Sequence, residues 1–204
     1  AGGNIASQAI LFGATPILTR LYSPEDFGVY AIFAGWNAVV AATFTLKYDL
    51  AILLPKEASE ARDVTRLTML CAVAFATTSA LALVAIGLAT ARLPPLQYLF
   101  LPVSGLLAAL YAGFQQWSAR AADYRRYSMS LWIAAVITVT TSCALGALLP
   151  VTTPGLVVGF VVGQSAAVLF LAARVRPRLL PLSLRGARAV ASEYRRFPFF
   201  VLPS

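Results

Sequence analysis

The sequence predicts an all-α membrane protein, and three observations support the prediction. Hydrophobic residues make up 59% of the 204 residues and charged residues only 12%, whereas soluble domains are about a quarter charged. Mean hydropathy is +0.77. Several segments run about twenty residues without a charge, which is the length that a helix needs to cross a bilayer core. Most of this chain is therefore expected to contact lipid.

Six apolar segments divide the chain, each bounded by proline, glycine or charged residues. Between the first two, the pattern predicts Ser23 as a helix N-cap and Pro24 at the first helical position, followed by acidic residues in the first turn. Gly159 and Gly163 have the GxxxG spacing that is typical of close helix packing. The predicted membrane spans are residues 2–22, 27–54, 64–90, 95–118, 127–149 and 155–173, followed by a basic segment at 174–204.

Lys and Arg are concentrated on alternate connections, which predicts the orientation of the bundle. All but Arg20 and Arg92, fourteen of the 16 basic residues, fall in the second connection, in the fourth, or after the sixth span. Because cytoplasmic loops retain an excess of such residues, we expect both the N-terminus and the basic segment in the cytoplasm. The segment 174–204 mixes leucines with arginines, so it is expected to lie along the anionic inner leaflet or to lead into a second membrane lobe.

Composition and motifs argue against several other functions. A net charge of +8 and a pI near 10.0 are features of nucleic-acid binders, but the positive-inside rule already accounts for these charges, and no nucleic-acid partner is expected. The chain has no His, and Cys71 and Cys143 lie in separate apolar stretches, so no metal site is predicted. Walker loops and Ser/His/Asp sets are missing, so we do not expect an enzyme. No cofactor is expected; a proton or Na⁺ gradient, or the substrate gradient, would drive any transport.

Two parts of the sequence resemble a known family. The run from Pro16 to Tyr30, PILTRLYSPEDFGVY, and the run KYDLAILLP that starts at Lys47 resemble the opening of bacterial polysaccharide-unit flippases. These are the O-antigen and capsule exporters of the multidrug/oligosaccharidyl-lipid/polysaccharide (MOP) exporter superfamily. The closing YRRFPFFVLPS, from Tyr194 to Ser204, is similar to the stretch with which that family enters its seventh helix. Lys47 stands where Arg is more frequent, which keeps the charge but loses the fork geometry that suits phosphate.

The resemblance implies a six-transmembrane-helix bundle that forms the N-terminal lobe of a MATE-like two-lobe transporter. Its function would be the flipping of lipid-linked oligosaccharide or polysaccharide repeat units across the bacterial inner membrane by alternating access. The implied partners are a polyprenyl-diphosphate-linked glycan, membrane lipids, the second lobe of the same polypeptide and other polysaccharide assembly proteins. Since the chain opens inside an apolar segment and stops abruptly, we expect it to be a piece of a longer protein.

Three alternatives stay open at this point. A drug or cation antiporter of the same superfamily would be expected to have a more acidic and aromatic cavity. A polysaccharide polymerase or ligase is also polytopic, but it should carry a large periplasmic loop, and the predicted outer loops are all short. The third alternative is a membrane scaffold protein without transport activity.

Arg20, Lys47 and Asp49 are the charged candidates for a transport site. Arg20 is expected near the outer end of the first span, where it either pairs with Glu25 or Asp26 or lines the cavity and attracts the diphosphate. Lys47 and Asp49 are expected near the inner end of the second span. They either emerge at the interface, or Lys47 contributes to a cationic cavity and Asp49 binds the coupling proton or Na⁺.

Amide side chains within the spans are the neutral candidates. Intramembrane amides usually form hydrogen bonds between helices, and sugar recognition along a wet cavity would use the same groups. The predicted cavity residues of this type are Asn4, Gln8, Asn37, Gln115 and Gln164.

Overall fold

The computed structural model describes residues 2–55, 57–90, 96–148 and 154–179, and all regular secondary structure within these ranges is α-helical. This confirms the predicted all-α class. The helices are α1 (Gly2–Leu21), α2 (Pro24–Phe44), α3 (Tyr48–Ala51), α4 (Ala58–Thr90), α5 (Leu96–Leu99), α6 (Leu101–Arg120), α7 (Tyr124–Leu148) and α8 (Pro154–Leu179).

Four helices of the described ranges are long and apolar enough to cross a membrane: α2, α4, α7 and Gly155–Ala173 of α8. The 20-residue helices α1 and α6 are not among these four, so the count of six spans remains a prediction. Large apolar side chains are exposed along the bundle, and Leu88 of α4 is 79% exposed. Such continuous apolar surface fits lipid rather than water.

Helix α8 is the centre of the bundle. In the apolar stretch of α8, 44% of the residues are buried, against 11% in the apolar stretches of α4 and α7. It packs against α7 and α6, and its two halves belong to two hydrophobic clusters, one with Phe33 of α2 and one with Ile52 and Phe114. Since α2 contacts the first half of α8 and the segment after α2 contacts the second half, α2 and α8 run in the same direction.

Glycines bring α7 and α8 into close contact, as the GxxxG spacing predicts. A Cβ on Gly159 would stand 3.0 Å from the carbonyl oxygen of Thr138, and one on Gly163 would stand 2.7 Å from that of Ala134. Helix backbones approach this closely only where one side lacks a side chain. The spacing thus acts within the chain, between neighbouring helices.

Helix α2 begins at the predicted cap. The Ser23 hydroxyl accepts a hydrogen bond from the backbone N–H of Asp26, and the Asp26 carboxylate accepts one from the backbone N–H of Ser23 at 2.9 Å. This capping box satisfies two N–H groups that have no partner within the helix. With Pro24 at the first position, the start of α2 is specified by local sequence alone.

The predicted span 27–54 contains a helix break. Helix α2 ends at Phe44, and Leu46 and Lys47 then adopt left-handed conformations, with φ of 48° and 59°. The Thr45 hydroxyl accepts a hydrogen bond from the Lys47 N–H at 3.2 Å before the short helix α3 begins. Apolar residues continue through this segment, so hydropathy does not reveal the break.

Except for Arg20, the basic residues of the described ranges lie at one end of the bundle, which we name the basic end. Lys47, Arg62, Arg66, Arg120 and Arg126 belong to it. Arg120 connects two segments there, because its guanidinium donates to the carbonyl oxygens of Ile52 at 3.2 Å and Glu57 at 3.3 Å. Helix α8 continues to Leu179, so the predicted tail 174–204 starts as helix; residues 180–204 lie outside the described ranges.

Candidate functional site

One face of α1 carries a line of polar residues, which we name the α1 stripe: Asn4, Gln8, Thr15 and Thr19. At 100° per residue, these four positions fall within about 60° of the helix circumference. All four are exposed in the described structure. The stripe therefore runs along most of α1 and does not pack against α7, the helix that α1 chiefly contacts.

The hydrogen-bonding needs of the stripe differ between its residues. The hydroxyls of Thr15 and Thr19 donate to the backbone carbonyls of Leu11 and Pro16, at 3.1 and 3.2 Å. The amides of Asn4 and Gln8 have no such bond among the described residues. Within a bilayer an amide without a partner is costly, so this face is stable only against water or a polar protein surface.

Both ends of α1 are attached to α7. At the first turn, the Trp132 indole N–H donates to the carbonyl oxygen of Gly3 at 3.1 Å. Just after the last turn, the Tyr22 hydroxyl donates to the carbonyl oxygen of Ser142 at 2.7 Å. Tyr22 is only 5% exposed, and its ring lies against Gly146 and Gly155. These attachments determine which face of α1 points away from the bundle.

Arg20 lies exposed in the last turn of α1, at the end away from the basic end. Its position is about 100° around the helix from Thr19, so its Cα is off the α1 stripe. The nearby Asp26 carboxylate is occupied by the capping box. Ion pairs of the described ranges join Arg66 to Asp63 and Arg126 to Asp123, and Arg20 is in neither of them.

Lys47 and Asp49 lie in the helix break at the basic end, outside any long helix. Lys47 is half-buried in its left-handed conformation. Asp49 stands in the first turn of α3, and its Oδ1 atom is buried without a hydrogen-bond partner among the described residues. The structure thus puts the predicted coupling carboxylate at the end of the bundle, and its role stays a prediction.

The other predicted amides are inside the bundle. Asn37 of α2 is 6% exposed, and neither its Oδ1 nor the Oε1 of Gln164 on α8 has a hydrogen-bond partner in the described part of the chain. Asn37 lies four residues after Phe33, and Gln164 lies four residues after Phe160. The rings of Phe33 and Phe160 pack against each other, with centroids 6.1 Å apart. Gln115 is half-buried on α6. These three residues are therefore separate from the α1 stripe.

Sequence reasoning missed several polar residues that matter to this geometry. Thr15 and Thr19 complete the stripe, and their helical spacing from Asn4 was the available signal. Tyr111 and Arg120 gave no such signal, because their roles depend on contacts with residues that are distant in sequence. Among the described residues, His, Cys, Asp and Glu form no group of three able to hold a metal ion.

Comparison with protein-family models, with curated proteins and with solved structures finds no match to this chain. The family resemblance thus depends on residues 16–30, 47–55 and 194–204 alone.

Proposed function

We propose that this chain is one lobe of an exporter that flips lipid-linked oligosaccharide across the bacterial inner membrane by alternating access. The observation that carries the proposal is the α1 stripe. A polar face on a helix of a lipid-embedded bundle favours a position along an aqueous path. The resemblance of the segments around Arg20 and Lys47 to polysaccharide-unit flippases supplies the class of substrate.

In this proposal the α1 stripe faces a path between this lobe and a second lobe of the same polypeptide. The amides of Asn4 and Gln8 exchange hydrogen bonds with sugar hydroxyls and water as the glycan passes. Such neutral groups suit a transported substrate, because moderate binding at each point lets the glycan leave again. The lipid tail stays in the bilayer, beside the exposed apolar side chains of the bundle.

The two cations of the proposal lie near opposite ends of the path. Arg20 is in the last turn of α1, and Lys47 is in the break at the basic end. A diphosphate is attracted to either cation in a partly desolvated site. We propose that they bind the diphosphate before and after translocation, with the N-terminus and the basic end in the cytoplasm. Asp49 is the proposed site for a coupling proton or Na⁺.

The test is a flipping assay with the full-length protein that contains this chain, reconstituted in vesicles. The assay follows a fluorescent polyprenyl-diphosphate oligosaccharide as its head group moves from the protected side of the vesicle membrane to the accessible side. We expect the double variant Asn4→Leu/Gln8→Leu, and the single variants Arg20→Ala and Lys47→Ala, to reduce the rate at least tenfold without loss of folded protein. Gln116→Leu removes an amide of α6 outside the stripe and should flip at the wild-type rate.

Two results would contradict the proposal. Wild-type flipping by the Asn4→Leu/Gln8→Leu variant would mean that the stripe does not line the path. No movement of any lipid-linked glycan, together with exchange of a small cation across the membrane, would indicate an antiporter. The buried Oδ1 of Asp49, which has no hydrogen-bond partner among the described residues, would then be the first candidate for the cation site.

A further inference from the structure

Three exposed leucines lie together at the basic end, after the break that follows α2. Leu50, Leu53 and Leu54 are 41%, 48% and 56% exposed, and we name them the leucine patch. Residues three and four positions apart lie on the same side of a helical turn. The chain is turned over this stretch, since the backbone N–H of Leu54 donates to the carbonyl oxygen of Ala51 at 3.1 Å. The three side chains therefore form one apolar surface.

The leucine patch lies at the polar edge of the bundle. The Arg120 guanidinium donates to the carbonyl oxygens of Ile52 and Glu57, which stand on either side of Leu53 and Leu54 in the chain. An arginine at the end of a membrane helix is stable at the headgroup level, where it reaches water and phosphate. Leucines at the same level gain little from the hydrocarbon core. An exposed apolar patch there favours a cover from another part of the protein.

Helix α8 brings the following chain to this place. Leu171 of α8 belongs to the same hydrophobic cluster as Ile52, the neighbour of Leu53. The helix ends at Leu179, about 12 Å further along its axis. Pro181 comes two positions later. Because helices usually end at or before the residue that precedes a proline, the sequence predicts that the chain leaves the axis of α8 here.

The segment after α8 has the composition that a cover for the leucine patch needs. Residues 180–188 read LPLSLRGAR, with leucines at alternate positions followed by arginines. Leu184 comes five residues after Leu179, and five extended residues span about 17 Å. This length is sufficient for the segment to return from the end of α8 to the level of the leucine patch.

Charge favours the same pairing. Glu57 is exposed beside the leucine patch, and its carboxylate accepts a hydrogen bond from the Ser59 hydroxyl at 3.1 Å. Residues 180–204 contain four arginines and one glutamate. Arg185 directly follows Leu184, so a cation comes near Glu57 when Leu184 covers the patch. Opposite charges at a partly desolvated edge attract each other and fix the register of the contact.

We propose that residues 180–188 dock on the leucine patch. Their leucines cover Leu53 and Leu54, and Arg185 comes to lie beside Glu57. The occupant of the patch is thus the chain's own segment after α8. Docking fastens this segment to the helix break at the basic end. The inference goes beyond the proposed function and does not depend on it.

Disulfide cross-linking in the full-length protein tests the docking. In a variant whose other cysteines are replaced by alanine, Leu53→Cys is combined with Leu184→Cys and treated with a mild oxidant. Met129→Cys with Leu184→Cys is the matched control, because Met129 is 43% exposed near the start of α7 at the same end. Docking raises the local concentration of one thiol at the other, so the first pair should oxidise about ten times faster than the control. Mass spectrometry of tryptic peptides identifies the bond.

Limited proteolysis gives a second measurement, in which the segment itself is unchanged. Trypsin cleaves after Arg185 and Arg188 when the segment is released from the patch. Leu53→Gln/Leu54→Gln should raise the rate of this cleavage about tenfold, because two apolar side chains lose their contact and the released population grows. Met129→Gln should leave the rate unchanged. Size-exclusion chromatography checks that each variant is folded.

Equal oxidation of the two cysteine pairs would overturn the docking, and so would a cleavage rate that Leu53→Gln/Leu54→Gln leaves unchanged. In a third experiment, Leu53→Cys is combined with Leu182→Gln/Leu184→Gln. Continued protection of this cysteine from a membrane-impermeant maleimide would mean that lipid, and not the segment, covers the patch. A protein that forms the cross-link but does not flip glycan retains the docking and overturns the proposed function. The reverse result retains the proposed function alone.

Discussion

Tyr22 follows α1, and its side chain lies between α7 and α8, where the hydroxyl reaches the carbonyl oxygen of Ser142. The ring fills the space above Gly146 and Gly155, which have no side chain of their own. One residue thus joins the first helix of the chain to two late ones. The adjacent Ser23 and Asp26 specify the start of α2, so this short turn combines a local signal with a tertiary contact.

Tyr22→Phe removes only the hydroxyl. We expect the free energy of unfolding in detergent micelles to fall by about 1 kcal/mol, the usual net value of one hydrogen bond. Tyr124→Phe is the matched control, because Tyr124 is 64% exposed and its hydroxyl should contribute little. Equal stabilities for the two variants would mean that the bond to Ser142 does not hold α1 in place.

Lys47 supports a second prediction at this scale. Its φ of 59° places a side chain in the left-handed region, which costs roughly 1–2 kcal/mol for residues with a Cβ. Lys47→Gly and Lys47→Ala remove the same charge, but only the glycine variant removes the strain. Lys47→Gly should therefore be about 1 kcal/mol more stable than Lys47→Ala to thermal or denaturant unfolding. A less stable glycine variant would argue against the left-handed break.

At the scale of helices, the contact between α7 and α8 follows from small residues in register. Gly159 and Gly163 face Thr138 and Ala134 at distances that leave no room for a Cβ. By contrast, a Cβ on Gly13 of α1 or on Gly35 of α2 would meet no atom within 4 Å. Glycines of the same chain therefore have opposite roles: those of α8 are required by packing, whereas Gly13 and Gly35 are not.

Gly163→Ala should destabilise the protein by roughly 1–3 kcal/mol, because the new Cβ would collide with the backbone of α7. Gly35→Ala makes the same chemical change in open space, and it should raise stability by up to about 1 kcal/mol through helix propensity. Thermal unfolding of the two purified variants tests the pair. Similar shifts in both would contradict the close α7–α8 contact.

The sequence predicted the helical elements well where the signal is local. Hydropathy and the Ser23-Pro24 cap place the starts of α1 and α2 within a few residues. The break after Phe44 was not predictable in this way, because Leu46 and Lys47 are not residues that favour a left-handed backbone. The approach of Tyr111, Ala134 and Gln164 to one another was also not predictable, since these residues meet only through the packing of three helices. Asn4 and Gln8 were found from sequence, but their exposure was not.

For the molecule as a whole, charge and hydropathy are arranged along one axis. All basic residues of the described ranges except Arg20 lie at one end, and apolar side chains cover the flanks. Four helices satisfy the length and hydropathy of a membrane span. The α1 stripe interrupts this apolar surface along one side. A molecule built in this way is suited to a bilayer, with the narrow α1 stripe facing away from lipid between exposed apolar side chains of the same helix.

The positive-inside rule gives a testable orientation. In a variant whose Cys71 and Cys143 are replaced by Ala, we introduce Glu25→Cys at one end or Ser59→Cys at the basic end; both positions are exposed. A membrane-impermeant maleimide added to intact spheroplasts should label Glu25→Cys and leave Ser59→Cys unlabelled. Lysed cells, in which both should react, are the control. Labelling of Ser59→Cys alone in intact cells would reverse the orientation.

The bond between Trp132 and Gly3 also gives the protein an optical marker. The three tryptophans have different surroundings: Trp36 is 55% exposed on α2, Trp117 is 9% exposed on α6, and Trp132 on α7 donates its N–H to the first turn of α1. With Trp36 and Trp117 replaced by Phe, the remaining indole would report on that bond. Indole emission shifts when the N–H changes its partner, so separation of α1 from α7 would be measurable as a shift of the ultraviolet emission maximum, without any attached dye.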